Sequence, residues 1–237
     1  KSASEIGILC SYETKYQTEL AEKLCKMIPS ADVCRFSCSG TEAVMHSIRL
    51  AREYTGKDVM LKFEGHYHGL VDYLQYNWRP DHKEMGKRSN PKIIPFSSGI
   101  PEGIKKYIKI IPFNDLDILE VTIERLKQHL AAVILEPINY NQGCIIPKKR
   151  FLESLRNLTK KNNILLIFDE MLSAFRTGPD CAQGYFGVTP DICLIGKSVG
   201  GGTPISVIAG KRNIMEHFKP TGSCTHSGTY NGNLIPV

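Results

Sequence analysis

Ile164-Leu-Leu-Ile-Phe168, followed at once by Asp169-Glu170, is the stretch on which the fold turns. An unbroken apolar run of this length, without polar alternation, reads as a strand buried on both faces. Such strands belong to parallel sheets covered by helices, and a carboxylate at the strand's end is costly unless a positive or protonated group meets it. Further along, Asp191 to Ile195 repeats the pattern and delivers Lys197 into Gly200, Gly201 and Gly202, with Pro204 preventing a simple helix from following. An amine held in a desolvated pocket has a lowered pKa and attacks carbonyls, which makes Lys197 a candidate for Schiff-base chemistry. Taken alone, the commoner reading is a lysine snorkelling from a strand end.

Toward the amino terminus, residues 17–28 place Leu20, Leu24, Met27 and Ile28 on one helical face, with Thr18 as N-cap and Pro29 as the stop. Val33 to Cys38 reads as a strand, and Ser39-Gly40-Thr41-Glu42 leads into a helix with Val44, Ile48 and Ala51 inward. Free amides at that helix start, with hydroxyls and a glycine, form a phosphate cradle without a basic residue, although an ordinary cap has the same pattern. Asp58 to Phe63 is the next strand and ends in Glu64-Gly-His66-Tyr67-His68-Gly69. An aromatic ring on such a turn suits stacking on a flat heterocycle, with core packing as the plain alternative for Tyr67. His66 and His68 have no Cys or acidic ligand pattern beside them, so no metal is expected.

From Trp78 to Pro112, prolines and charges break the pattern, which reads as a long functional loop over the surface. A helix follows from Asn114-Asp115 to about Gln128, then a strand from Ala131 to Leu135 ending in Glu136-Pro137, a polar loop at 139–143, a helix at 148–162 and a further strand from Ile205 to Ala209. Strands alternating with amphipathic helices predict an α/β fold with a mainly parallel sheet and helices on both faces. Ligands bind beyond the carboxyl ends of such strands, where Ser39-Gly40-Thr41, Tyr67, Asn141, Asp169 and Lys197 all fall.

The bulk properties narrow the function classes. The chain has 237 residues, 42% of them hydrophobic, enough for one large core. Its net charge of +6 is scattered in short groups with carboxylates nearby, which argues against nucleic acid. The apolar runs are too short to span a bilayer, and the opening residues do not read as a charged-then-apolar leader. Eight cysteines without a CxxC pair read as reduced thiols of a cytoplasmic protein. A nucleotide-dependent ATPase fails on spacing: Gly196-Lys197-Ser198 resembles the end of a phosphate-binding loop, but the motif's first glycine falls on Asp191 and the acidic strand precedes the lysine.

Pyridoxal phosphate needs an amine for its aldehyde, a carboxylate for its ring nitrogen, a stacking partner and a phosphate cradle. All four stand at the strand ends. In order, Ser39-Gly-Thr-Glu-Ala43, Gly65-His-Tyr-His-Gly69, Glu136-Pro137, Ile167-Phe-Asp-Glu-Met171, Gly196-Lys197 and Ser227-Gly-Thr-Tyr-Asn-Gly-Asn233 resemble the motifs of class III aminotransferases of fold-type I, nearest to the glutamate-semialdehyde aminomutase branch. The resemblance implies that Lys197 carries the Schiff base and moves the substrate's proton, and that Asp169 pairs with the pyridinium nitrogen. It further implies that Tyr67 and Met171 cover the two ring faces, that Gly40 and Thr41 bind phosphate, and that Asn141 lies near the phenolic oxygen. Thr229 would reach the phosphate in a neighbouring subunit, which implies a homodimer with shared sites. Ala174 stands where the family usually has glycine, and Met171 replaces a smaller residue, narrowing the pocket beside the ring. The family's chains are longer at both ends, so residues 1–237 correspond to the cofactor-binding large domain without the amino-terminal segment and carboxy-terminal small domain. An aminotransferase acting on an amine or amino acid and a keto or aldehyde acceptor comes first as the broader class, with glutamate-1-semialdehyde aminomutase next. A catalytically inactive ligand-binding or scaffolding protein would keep many of the same residues.

Overall fold

In the computed structural model, which describes residues 14–81 and 83–233, helix α1 (Lys15–Met27) leads into strand β1 (Val33–Ser37) and helix α2 (Gly40–Thr55). Strand β2 (Val59–Phe63) follows, then a two-stranded ladder of β3 (Gly86–Lys87) and β4 (Asn90–Pro91), and β5 (Ile108–Ile111). Helix α3 (Leu116–Leu126), β6 (Leu130–Leu135), α4 (Phe151–Lys161) and β7 (Leu165–Asp169) come next. The order ends with α5 (Cys181–Phe186), β8 (Ile192–Ile195), β9 (Ser206–Gly210) and α6 (Arg212–Met215).

Seven strands form one sheet in the order β1-β9-β8-β7-β6-β2-β5. The pairs from β8 through β7, β6 and β2 to β5 are parallel, whereas β9 runs antiparallel to both β8 and β1. The sheet is therefore mainly parallel, as its apolar strands require. Alternation along each strand divides the core in two. Leu166, Phe168, Cys193 and Ile195 pack with α1, α3 and α4 on one face. Leu165, Ile167, Ile192 and Leu194 pack with Val44, Ile48 and Ala51 of α2 on the other. Phe168 is fully buried, and its truncation to alanine would cost about 3–5 kcal/mol.

Three local expectations are corrected. Helix α1 begins earlier than Thr18: Thr14 is its N-cap, in a capping box with Gln17. The stretch from Trp78 to Pro112 is not all surface loop, because Ile108–Ile111 pairs in register with Met60–Phe63 and its isoleucines are buried. Its four-residue length and proline-rich flanks hide a strand that only the sheet edge completes. The final strand starts at Ser206, since Pro204 has no N–H to add to a ladder. The described cysteines are free thiols. Among the described residues no helix is long and apolar enough to cross a membrane, and no cluster of His, Cys, Asp or Glu could hold a metal ion.

Candidate active site

Strand β7 ends on Asp169, in the middle of the sheet, and alternation sets it on the face covered by α2. The start of α2 thereby comes to the same edge. Ser39 caps that helix by accepting from the Glu42 N–H, while Glu42 accepts from the Cys38 and Ser39 N–H groups. The capping box leaves the Gly40 and Thr41 amides without an acceptor among the described residues, pointing out of the helix. Gly69 closes against this turn at φ +74°, where a Cβ would lie 2.7 Å from Thr41 Oγ1.

A cavity of about 410 Å³ opens here. Gly40, Thr41, Tyr67, Asn141, Asp169, Met171 and Lys197 all line it, with Trp78, Glu136 and Leu172 among their neighbours. Seven of the eight site residues read from the sequence thus converge. Thr229 does not: it is exposed and lies outside the cavity lining. Met171 Sδ packs so close to Gly196 that a Cβ there would sit 2.6 Å from the sulfur.

Asp169 is 3% exposed. Its Oδ2 lies 2.7 Å from His68 Nδ1, and its Oδ1 accepts from the Met171 N–H at 3.2 Å. Burial pushes its carboxyl up to about 7, against the Met171 amide and the charges of Lys197 and Lys62, which pull it down. Burial pushes His68 well below the usual imidazole range, with the Lys62 charge adding to the effect. The arrangement is a neutral His68 donating Nδ1–H to a carboxylate that would otherwise be a lone buried anion. His66 plays a different part, its Nδ1 accepting from the Glu136 backbone N–H at 3.0 Å.

Glu136 and His68 are the functional candidates that sequence reasoning missed. Glu136 Oε1 accepts from the Tyr67 N–H at 2.8 Å, and both its oxygens accept from the Asn141 amide at 3.0 Å. Burial raises its carboxyl to about 7, opposed by the Tyr67 amide. A signal existed in each case. Glu136 ends an apolar strand just as Asp169 does, and His68 stands in the same turn as Tyr67.

Lys197 departs from expectation. It opens a 3-10 turn, Lys197–Gly200, with φ +45°, a strained value for a residue with a side chain. Its side chain is exposed among the described residues, where the sequence leads to the expectation of a buried amine. The physical reason is that β8 ends at Ile195, and the turn lifts the lysine out of the sandwich onto the cavity's rim.

The family model of class-III aminotransferases matches residues 2–237. The chain belongs to that family. Class-III aminotransferases are pyridoxal-phosphate enzymes, and the chain is 44% identical over 237 residues to a glutamate-1-semialdehyde 2,1-aminomutase of Methanocaldococcus jannaschii, covering all of this chain and 54% of that protein. It is 41% identical to the Bacillus subtilis protein of the same name, again over 54% of the relative. Among solved structures, an omega-transaminase from Sphaerobacter thermophilus superposes with a TM-score of 0.93 at 36% identity, covering 99% of this chain and 54% of that one. The chain thus spans about half the length of the relatives it matches. Pyridoxal phosphate fits the residues present: free amides at a helix start for its phosphate, a buried carboxylate for its ring nitrogen, and an exposed amine at the rim for its aldehyde.

Proposed function

We propose that the protein transfers amino groups with pyridoxal phosphate, acting as a glutamate-1-semialdehyde 2,1-aminomutase. The observation that carries amino transfer is the convergence of Lys197, Asp169, Tyr67 and the Gly40–Thr41 amides on one cavity. The relatives of that name, 41–44% identical across this chain, support the intramolecular reaction over the broader transaminase reading that the sequence ranks first. Intermolecular transamination remains the second reading because of the omega-transaminase likeness.

Pyridoxal phosphate supplies an aldehyde that condenses with amines and a ring that takes up the electron pair of a broken C–H bond. With the cofactor bound, Lys197 Nζ would hold it through the aldehyde and, once released, would accept the proton of the broken C–H bond and return it to another carbon. Asp169 would keep the ring nitrogen protonated, with His68 and the Met171 amide holding its two oxygens in place. Tyr67 and Met171, which line the cavity, would cover the ring, Gly40 and Thr41 would bind the phosphate through the helix start, and Asn141, anchored by Glu136, would serve the phenolic oxygen. Residues 1–237 form the cofactor-binding large domain. In a cytoplasmic homodimer, Thr229, exposed in this chain, would reach the partner's phosphate.

The discriminating experiment loads the protein with the aminated cofactor and supplies glutamate 1-semialdehyde without another amino donor or acceptor. Migration of the amino group from C2 to C1 of the same skeleton is expected. Turnover that requires a separate acceptor would assign the transaminase reading, and no turnover with either would remove both. Borohydride reduction followed by peptide mapping is expected to label Lys197.

A further inference from the structure

Met60 and Lys62 share the α2 face of β2, where an uninterrupted core would have an apolar side chain at position 62. Lys62 is instead 1% exposed, the one cation among the fully buried described residues. Its Nζ donates to the carbonyls of His66 at 2.8 Å, Leu74 at 3.0 Å and Tyr76 at 2.7 Å. Those carbonyls belong to the stretch after β2 that has neither helix nor strand, so its backbone groups need partners from elsewhere. Tyr67 and His68 follow His66 directly.

We propose that Lys62 is a positioning residue of the active site, its ammonium tying three carbonyls of the loop so that Tyr67 and His68 are held toward the cavity. The match of donors is specific. An ammonium has three N–H groups for three acceptors, whereas a neutral amine would turn a lone pair toward one carbonyl. Glu136 fastens the same turn from the opposite side through the Tyr67 amide. The Lys62 charge also faces the buried carboxylates: it pulls the Asp169 and Glu136 carboxyls down, while burial pushes Lys62 itself down to about 7. Replacing such a lysine with a methionine of similar shape removes the donors, leaving the His66 and Tyr76 carbonyls buried without that partner and the Leu74 carbonyl with only the Tyr76 N–H.

Lys57 provides a matched control. It too gives its amine to three backbone carbonyls, those of Lys127, Asn162 and Asn163, but it lies before β2 and outside the cavity lining. The test compares Lys62→Met and Lys57→Met in the purified protein by amide hydrogen exchange of the cofactor-free form and by its affinity for pyridoxal phosphate. Binding is read from quenching of Trp78, the chain's single tryptophan, whose ring centroid is 4.7 Å from that of Tyr67. The expected result for Lys62→Met is about tenfold faster exchange in residues 64–76 with β6 and β7 unchanged, and about tenfold weaker cofactor binding. Lys57→Met is expected to leave both within twofold, a margin set at roughly 0.4 kcal/mol. Wild-type behaviour in Lys62→Met, or equal effects from Lys57→Met, would overturn the proposal. If Lys62→Met does not fold, Lys62→Gln, with two N–H groups, is expected to show the same two effects at smaller size, and wild-type values there overturn it equally. The proposal rests on the cofactor reading only in its binding arm: a wild type that binds no pyridoxal phosphate removes that reading, while the exchange arm still decides the role of Lys62.

Discussion

Lys62 and Lys197 both stand near the carboxyl ends of their strands, yet Lys62 is buried with three carbonyl acceptors and Lys197 is exposed with no side-chain hydrogen bond among the described residues. A charge that holds a loop has to be saturated, because each missing partner leaves a polar group stranded in low dielectric. An amine that exchanges partners with a substrate has to be free of such bonds. On the proposed function, burial alone would point to the wrong lysine for the chemistry, and the difference separates a group proposed to fix geometry from the one proposed to react.

The sharpest way to break this division is at Lys197 itself. Lys197→Ala is expected to lower turnover on the order of 10⁴-fold or more while cofactor binding and fold persist, checked by steady-state rates and by circular dichroism. A variant with near-native turnover would move the chemistry to another residue. Asp169→Asn comes next, with cofactor retained and turnover lowered at least about 100-fold. Unchanged turnover there would strip Asp169 of its electronic role.

Asp169 also gives the holding side a pH signature. Its carboxyl takes up its proton near 7 in the folded chain and near 3.8 when unfolded, so the folded state binds more protons between those values. Stability of the cofactor-free protein is then fully supported by this group below about pH 4 and declines as pH rises through about 7. Urea midpoints across that range are expected to fall in the wild type and to fall less in Asp169→Asn. A slope identical in both proteins would mean that Asp169 titrates normally. Glu136→Gln is smaller: losing one acceptor oxygen for Tyr67 and Asn141 is expected to weaken cofactor binding about tenfold, measured by equilibrium dialysis. Smallest is Ser39→Ala, where loss of the α2 cap is expected to lower stability by about 1 kcal/mol in chemical denaturation.

Much of the site was legible because strand ends announce themselves. Apolar runs that stop at Asp169 or Tyr67's turn mark one edge of a parallel sheet, and a Ser-Gly-Thr-Glu start marks a helix whose amides face it. The contacts that bring His68 and Glu136 into the site were harder to read, since the His68–Asp169 pair and the Glu136–Tyr67 bond join positions far apart in sequence. β5 was missed for a related reason: a short run among prolines becomes a strand only when β2 offers it a ladder.

By itself the sequence determined the α/β class, the sheet edge where chemistry gathers and the types of group found there, because apolar periodicity and turn residues act locally. Only the tertiary structure decided which lysine is buried, which histidine meets Asp169 and how Glu136 joins Tyr67 to Asn141. Burial and hydrogen-bond partnership depend on what packs across the sheet, and no single strand contains that information.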